Sequence, residues 1–369
     1  MKTIAIVINS SWAAYVFRFE LAKELIKNNY HVIFFAPDDG KYSEKIKKYF
    51  DFFHTEINPN KVSFYKDLKY LFSLYILFKK NKVDVALTFS IKPNLYVNFI
   101  SSILKFKTVN NITGLGTIFI NKSLITSIVE LMYKYSLRFS HHVFFQNKDD
   151  CKLFQRRGML IGTGFSILPG SGVNTKKFRP GYPRARTDSN IRFIFLGRLL
   201  KEKGVVEFLN AARYLQEKNK NLFFSLLGEL DSKNKSAISR EFLSKYTNQS
   251  INYLGMSDSV ETVINSYDCV VLPSYREGLP RSLLEACSMG IPIITTNAIG
   301  CREVIINGVN GFSCKVKDVS SLINAMEKFS NLSIEDRLSM GKEGRALIVK
   351  KFDESIIINE YLKIIKRLL

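Results

Sequence analysis

Two glutamates flank a short turn late in the chain, in the stretch REGLPRSLLEACSMGIP at 276–292. Pro280 suits the first turn of a helix, because its missing N–H group costs nothing there. Gly290 suits the position just after a helix end. The stretch therefore predicts a helix that has Glu277 in the loop before it and Glu285 about one and a half turns inside it.

The start of this helix is a candidate binding site for an anion. The flanking stretches YDCVVLPS (267–274) and IPIITT (291–296) are typical of strands, so the segment forms a βαβ unit. Its helix begins at the carboxyl edge of a parallel sheet, where such sheets bind ligands. Free N–H groups and the helix dipole favour phosphate at that point, and Gly278 lets an anion approach the backbone closely.

The two carboxylates suit a different part of the same ligand. Carboxylates accept strong hydrogen bonds from hydroxyl groups, so a molecule with central phosphates and a sugar at each end would use every group. A nucleotide sugar is such a molecule. On spacing alone, the alternative is that Glu277 is an ordinary helix-start acid and Glu285 a solvated helix residue.

Strands alternate with helices along the whole chain. Apolar strands in this alternation predict an α/β fold with two parallel sheets, each covered by helices on both faces. The predicted strands of the first block are 3–8, 31–37, 83–89, 107–113 and 141–147, with a helix at 15–29. Those of the second block are 191–199, 222–228, 251–255, 267–274 and 291–296, with a helix at 203–218.

The segment between the blocks, 168–190, is rich in Gly, Pro and polar residues and is expected to be a linker. The final segment, 352–369, has the pattern of an amphipathic helix, with Asp353 as a candidate cap. It is expected either to pack on its own domain or to cross back to the first one.

Composition limits the class of protein. The chain has 369 residues, enough for two domains, and 46% of them are apolar, as in globular proteins. No apolar run reaches the roughly 20 residues that span a bilayer, and the first residues lack the pattern of a signal peptide. The five cysteines show no CxxC pair and lie far from the four histidines. Free thiols, a cytoplasmic location and no metal site are therefore expected.

The net charge of +21 favours polyanionic partners. Both halves of the chain are basic, so the charge is not that of a basic tail. Nucleic acid, anionic lipid and phosphorylated substrates all fit such a charge. The richness in lysine is also what an A/T-rich genome would produce.

Several motifs together resemble family 4 glycosyltransferases, whose GT-B fold has two Rossmann-like domains facing each other across a cleft. E-G-L-P-x(4)-E at 277–285 is similar to the E-x(7)-E motif of that family. FLGRLLKEKG (195–204) resembles the turn that supplies cations to the donor diphosphate, and GVNTKKFRP (172–180) the segment that enters the second domain. GVNGF (308–312) follows CREVI (301–305) at the distance expected for the family.

The resemblance implies a domain division and roles for named residues. Residues 1–170 would form the acceptor-binding domain, 171–351 the nucleotide-sugar-binding domain, and 352–369 a C-terminal helix. Glu277, Arg198 and Lys203 would act in catalysis, with Glu277 at the donor sugar and the two cations at the diphosphate. The donor-binding residues would be Gly197, Arg198, Lys203, Glu277, Gly278, Leu279, Pro280 and Glu285, with Glu285 at the ribose.

The first domain departs from the family pattern. Its first strand–helix loop, NSSWAAYVFR (9–18), lacks the paired glycines of many relatives. Where many relatives have a histidine, FSIKPN (89–94) has Ser90 and Lys92, and Lys92 is expected to meet the acceptor diphosphate. The stretch 110–119 resembles a loop of transferases that build bacterial surface polysaccharides, although an ordinary turn is the alternative. The expected acceptor or cleft residues are Ser10, Ser11, Arg18, Lys92, Thr113, Gly114 and Gly116.

The expected activity is retaining transfer from a UDP-sugar, with an N-acetylhexosamine as the expected sugar, to a polyprenyl-diphosphate-linked saccharide. The products would be capsule, O-antigen or glycoprotein glycans. No cofactor is expected, and the absence of an Asp-x-Asp triplet gives no indication of a metal-bridged diphosphate. Such an enzyme would lie on the inner face of the cell membrane. The segment 61–82, which mixes aromatics with lysines, would lie in the anionic interface or be an ordinary packed helix.

Other functions fit less well. A Rossmann dehydrogenase needs G-x-G-x-x-G after the first strand, and VINSSWAAY has no glycine. A nucleic-acid-binding protein would account for the charge, but no signature of one is present, so no nucleic-acid partner is expected. A transferase with another nucleotide sugar or a non-lipid acceptor remains an alternative, as does a UDP-sugar epimerase of the same fold.

Overall fold

The chain forms two compact units, each with its own parallel sheet. The computed structural model describes residues 1–57, 63–115, 124–181, 190–231 and 234–369. The first unit comprises Met1–Ser171 together with Ile357–Leu369, and the second comprises Gly172–Ile356.

In the described part of the first unit, parallel strands form a seven-stranded sheet in the order β3-β2-β1-β4-β5-β6-β7. The strands are Lys2–Val7 (β1), Tyr30–Ala36 (β2), Asp51–His54 (β3), Val85–Phe89 (β4), Lys107–Ile112 (β5), His142–Phe145 (β6) and Gly164–Ile167 (β7). The helices are Ser11–Lys27 (α1), Tyr42–Lys47 (α2), Phe64–Asn81 (α3), Ile91–Leu104 (α4), Leu124–Ser136 (α5) and Lys148–Arg156 (α6).

The second unit repeats this arrangement in the order β10-β9-β8-β11-β12-β13, again with parallel neighbours among the described strands. The strands are Ile191–Leu196 (β8), Leu222–Leu227 (β9), Ile251–Tyr253 (β10), Cys269–Leu272 (β11), Ile293–Thr296 (β12) and Gly311–Cys314 (β13). The helices are Val205–Lys218 (α7), Arg240–Ser244 (α8), Val260–Ile264 (α9), Arg281–Ser288 (α10), Val319–Ser330 (α11) and Ile334–Lys351 (α12). The last helix, Glu354–Leu368 (α13), begins in this unit and continues in the first.

The predicted α/β fold with two Rossmann-like sheets is confirmed. The apolar runs form the central strands, since both faces of a parallel sheet are buried. Ile4, Ile6, Phe193 and Phe195 are examples of such buried strand residues. Three strands, β3, β7 and β13, were not predicted, and each lies at a sheet edge. Edge strands retain exposed residues, so they lack the continuous apolar pattern that marks the central ones.

The segment predicted as a linker is partly built into the second unit. Val173 and Phe178 are buried in its core, and Val173 forms a β-bridge with Asp353. These two apolar side chains anchor the segment despite its Gly- and Pro-rich composition. Residues 182–189 of the predicted linker lie outside the described residues.

The C-terminal helix α13 begins in the second unit and belongs to the first from Ile357 onward. Asp353 caps it as predicted, since its Oδ1 accepts a hydrogen bond from the Ser355 N–H at 2.9 Å. Tyr361 is fully buried, with its ring centroid 4.7 Å from that of Phe144 and its hydroxyl 2.5 Å from Asn111 Nδ2, which donates to it. The helix therefore completes the core of the first unit.

Replacing Tyr361 tests this packing. Tyr361→Ala removes a buried ring and is expected to lower the free energy of unfolding of the first unit by about 3–5 kcal/mol. Tyr361→Phe leaves the Asn111 amide without its acceptor and is expected to cost about 1–3 kcal/mol. Urea unfolding measures both, with the exposed Tyr214→Phe as the control. Equal stability of Tyr361→Ala and the control would contradict the packing role.

Candidate active site

The candidate site lies at the carboxyl edge of the second sheet, where three loops follow neighbouring strands. The loop after β8 carries Arg198 and a 3-10 turn, Lys201–Lys203. The loop after β11 carries Glu277 and leads into α10, and the loop after β12 contains Gly300. The strand order reverses between the neighbours β8 and β11, because β9 follows β8 on one side and β12 follows β11 on the other. In such sheets the ligand crevice lies at the carboxyl ends of the strands where the order reverses.

Lys203 and Glu277 form a partly buried ion pair. Lys203 Nζ lies 2.5 Å from Glu277 Oε1, and their side chains are only 22% and 11% exposed. The structure therefore brings together two residues that the sequence analysis assigned to catalysis. Removing either partner would leave an uncompensated charge in a place with little water.

The backbones of the first two loops hold this pair in place. The Tyr275 N–H donates to the Glu202 carbonyl at 2.9 Å, and the Ser274 hydroxyl donates to the same carbonyl at 3.1 Å. Gly204 has φ +76°, and a Cβ there would lie 2.1 Å from the Pro273 carbonyl oxygen. Only glycine allows this approach of the two loops.

Gly300, which the sequence analysis did not single out, supports the loop that bears Glu277. It has φ +83°, and a Cβ there would lie 2.4 Å from the Glu277 carbonyl oxygen and 2.8 Å from that of Gly278. The Glu277 N–H also donates to the Ile299 carbonyl at 2.9 Å. A glycine between a strand and a short helix was the only signal for this role in the sequence.

The predicted helix is present, but it begins one residue later than expected. Pro280 is its N-cap rather than part of its first turn, and its carbonyl accepts from the N–H groups of Leu283 and Leu284. Leu279 packs against the core of the unit, which fixes the turn before the helix. Gly290 follows the helix end with φ +68°, as predicted.

Glu285 is not a solvated helix residue. Its Oε1 accepts from Arg281 Nε at 2.9 Å, and the side chains of Glu285 and Arg281 are 12% and 16% exposed. Burial raises the pKa of Glu285, and the Arg281 guanidinium opposes this rise. Arg281 was not among the predicted site residues.

Arg198 lies at the same edge and is more open to solvent. Its Nη1 is 4.0 Å from Asp231 Oδ2, and half of its side chain is exposed. The carbonyl oxygen of Gly197, the residue before Arg198, packs on Gly228, where a Cβ would lie only 1.9 Å from it, so only glycine at 228 allows this contact. Arg198 is thus held by its backbone while its side chain can reach a ligand.

Several predicted residues of the first unit serve its interior. Ser10 caps α1 by accepting from the Ala13 N–H at 3.3 Å, and the Ser11 hydroxyl donates to the Pro37 carbonyl at 2.5 Å. Arg18 is buried, donates from Nη2 to Ser171 Oγ at 3.1 Å and lies 4.0 Å from the centroid of the Phe89 ring.

Lys92 and the loop after β5 complete the predicted set. Lys92 Nζ lies 2.6 Å from Asp67 Oδ1, with both side chains largely buried, so this lysine joins α4 to α3. Thr113 and Gly114 are half-buried just after β5, and Gly114 has φ +123°. Gly116 lies outside the described residues.

A buried polar network in the first unit was not predicted. It joins the ends of β4, β5 and β6 to α13 through amide and hydroxyl groups, such as Asn94 Nδ2 donating to the Asn111 carbonyl at 2.9 Å. The remaining members are Thr88, Asn110, Gln146, Ser171 and Tyr361. The polar pair Asn110–Asn111 inside an apolar strand was its signal in the sequence.

Two features are absent from the described ranges. These ranges contain no cluster of three or more His, Cys, Asp or Glu residues that could hold a metal ion. They also contain no helix with the length and apolar character that crossing a membrane requires. The five cysteines are buried free thiols, and burial raises the pKa of Cys301, next to Glu277, to about 12.

Two glycosyltransferase family models match the chain. The family model for glycosyl transferases group 1 matches residues 183–347, and that for glycosyl transferase 4-like matches residues 3–147. The chain is 29% identical to N,N'-diacetylbacillosaminyl-diphospho-undecaprenol alpha-1,3-N-acetylgalactosaminyltransferase of Campylobacter jejuni, over 99% of both chains. It is 25% identical to UDP-Gal:alpha-D-GlcNAc-diphosphoundecaprenol alpha-1,3-galactosyltransferase of Escherichia coli, over 79% of each.

Solved structures share the fold across the whole chain. Sucrose-phosphate synthase from Thermosynechococcus elongatus superposes with a TM-score of 0.82 at 17% identity, covering 100% of this chain and 99% of that one. The HepE protein of Anabaena, in complex with UDP and glucose, has a TM-score of 0.80 at 14% identity, covering 99% and 100%.

Gly300→Ala tests the support of the Glu277 loop. The new methyl group would collide with backbone atoms. We therefore expect the free energy of unfolding to fall by about 1–3 kcal/mol, in addition to the cost of placing alanine at a positive φ. Gly308→Ala is a matched control, since Gly308 has φ +79° and open space around its Cβ position. Urea unfolding of both variants separates clash from backbone strain. Equal losses would show that Gly300 is needed only for its φ.

Proposed function

The chain belongs to the glycosyltransferases with group 1 and 4-like domains in a GT-B fold, and we propose that it uses a UDP-sugar to extend a polyprenyl-diphosphate-linked saccharide. The observation that carries this proposal is the Lys203–Glu277 pair at the N-terminus of α10. One relative is 29% identical over 99% of both chains, and its name gives a diphospho-undecaprenol-linked sugar as the acceptor. An N-acetylhexosamine is the proposed sugar, and capsule, O-antigen or glycoprotein glycans are the proposed products.

The proposed donor site uses the charges at the edge of the second sheet. The diphosphate would lie at the start of α10, where the helix dipole and backbone N–H groups attract anions. Lys203 would exchange its contact with Glu277 for the diphosphate, and Arg198 would reach it from the loop after β8. These cations would stabilise the charge on the departing UDP, so we propose transfer without a metal ion.

Glu277 would then face the donor sugar. Once Lys203 moves toward the diphosphate, the Glu277 carboxylate can accept hydrogen bonds from sugar hydroxyls. We propose retention of configuration by reaction on one face, with the leaving phosphate helping to take the acceptor proton. Double displacement would instead need a carboxylate that attacks the anomeric carbon. We propose for Glu277 a role in binding the donor sugar rather than that one, and its contact with Lys203 supports this role.

We further propose that the enzyme lies on the inner membrane surface through α3. This helix buries Tyr70, Leu74 and Phe78 in the first unit, which fits the packed-helix alternative for one of its faces. Another face is exposed and apolar. Its side chains are between 48% and 86% exposed and recur along one side of the helix, namely Phe64, Tyr65, Leu68, Phe72 and Ile76.

The charge of the same helix supports an anionic bilayer as the proposed occupant of this face. Lysines 66, 69, 79 and 80 are exposed on the same helix. Aromatic and aliphatic side chains that enter the headgroup region, beside lysines that contact anionic lipid, are the pattern of an interfacial helix. Each lysine near such a surface contributes about 1 kcal/mol.

A transfer assay tests the reaction. The protein is incubated with a panel of UDP-sugars, a polyprenyl-diphosphate-linked monosaccharide and EDTA, and the lipid products are weighed by mass spectrometry. We expect the mass of one sugar to be added from one donor. Glu277→Gln is expected to lower kcat/KM about a hundredfold or more, while the exposed Glu217→Gln serves as the control.

Each negative result in this assay has its own meaning. UDP binding without transfer from any donor would contradict the proposed polyprenyl-diphosphate-linked acceptor. Failure to bind UDP would overturn the donor, and activity that EDTA abolishes would overturn the metal-independent mechanism. Sugar conversion without an acceptor would indicate an epimerase.

A vesicle-binding assay tests the α3 face. Phe64→Ser with Phe72→Ser is expected to weaken co-sedimentation with phosphatidylglycerol-containing vesicles about tenfold or more, because two apolar side chains no longer leave water. Ile334→Ser with Leu338→Ser removes two exposed apolar residues of α12 and is the matched control. Equal binding of both variants, or equal binding to pure phosphatidylcholine, would contradict this docking surface.

A further inference from the structure

Arg281 and Glu285 form the second ion pair of the candidate site. Arg281 is the first residue of α10, and its Nε donates to Glu285 Oε1 at 2.9 Å across one helical turn. Both side chains are largely buried. The pair therefore has a fixed geometry that an exposed pair on a helix surface lacks.

The helix itself gains little from this pair. A cation in the first turn is unfavourable because the N-terminus of a helix is its positive end. The order is also the weaker one, since a glutamate four residues before a basic residue stabilises a helix better than the reverse. Stability of α10 therefore does not account for an arginine at this position.

The surroundings of Glu285 show what the arginine does. Burial raises the pKa of Glu285, and Arg281 and, more weakly, Lys177 lower it, while Glu261 on α9 raises it. Lys177 Nζ itself lies 3.5 Å from Glu261 Oε1. Arg345 of α12 binds the Ser288 carbonyl at the other end of α10. Arg281 is thus the main charge that opposes the rise in the pKa of Glu285 caused by burial.

We propose that Arg281 is a positioning residue, which holds the Glu285 carboxylate as the hydrogen-bond acceptor for the ribose hydroxyls of the donor nucleotide. This inference rests on the proposed UDP-sugar site. A carboxylate has about four lone-pair positions, so one contact from Arg281 fixes its orientation and leaves others for a diol. Arg281 acts through Glu285 and does not touch the diphosphate.

Uridine and UDP together test this role, because uridine has the ribose but no phosphate. Binding of each is measured from about pH 8 to about pH 6 for the wild-type protein, Arg281→Gln, Arg281→Lys and the exposed control Arg240→Gln. Arg281→Gln is expected to weaken the binding of uridine and the binding of UDP by the same factor, about tenfold to a hundredfold. The loss should grow as the pH falls, since without Arg281 the pKa of Glu285 rises further and the acceptor is protonated.

The other variants and outcomes complete the test. Arg281→Lys keeps the positive charge and is expected to recover part of the affinity at low pH, and the control is expected to bind like the wild type. Weaker binding of UDP with unchanged binding of uridine would mean that Arg281 binds the diphosphate, which overturns the proposal. Unchanged binding of both ligands in folded Arg281→Gln, checked by circular dichroism, would also overturn it. If the wild type binds neither ligand, the donor assignment fails and this inference fails with it.

Discussion

The candidate site depends on how closely the backbones of three loops approach one another at the carboxyl edge of the second sheet. Gly204 lies against Pro273, and Gly300 lies against the peptide of Glu277 and Gly278, at distances that exclude any Cβ. These contacts bring Lys203 to Glu277 although 74 positions separate them in the chain. Positive φ and steric room are required together at both glycines, so the geometry of the site is set by backbone rather than by side-chain choice.

Each glutamate near the start of α10 has its own cation. Lys203 pairs with Glu277, and Arg281 pairs with Glu285. Because each acid has a cation beside it, two carboxylates can lie near this helix N-terminus without making the local charge negative. The same pairing leaves lone pairs on both carboxylates for hydroxyl groups. The two pairs therefore place cations and hydrogen-bond acceptors next to each other at the start of α10.

The polar residues of the first unit are used differently. The hydroxyls of Ser10 and Ser11, the guanidinium of Arg18 and the ammonium of Lys92 all have contacts within this unit. The Asn-rich network at the ends of β4, β5 and β6 likewise binds strands and helices to one another. Hydrogen bonds between buried polar groups favour one arrangement of the core, and Arg18 and Lys92, the two charged residues that were expected to face an acceptor, are both bonded within this unit.

Local sequence patterns predicted the two parallel sheets, the central strands, the helix after the EGLP turn and the types of residue at the site. These features follow from local periodicity and turn chemistry, which neighbouring residues encode. Other features depend on how the elements pack: Glu285 is buried beside Arg281, Lys203 contacts Glu277, Gly300 supports the loop and Lys92 pairs with Asp67. Packing also makes strands of β3, β7 and β13. Pairings between distant residues and burial at a sheet edge depend on how the elements pack, and no local pattern carries that information.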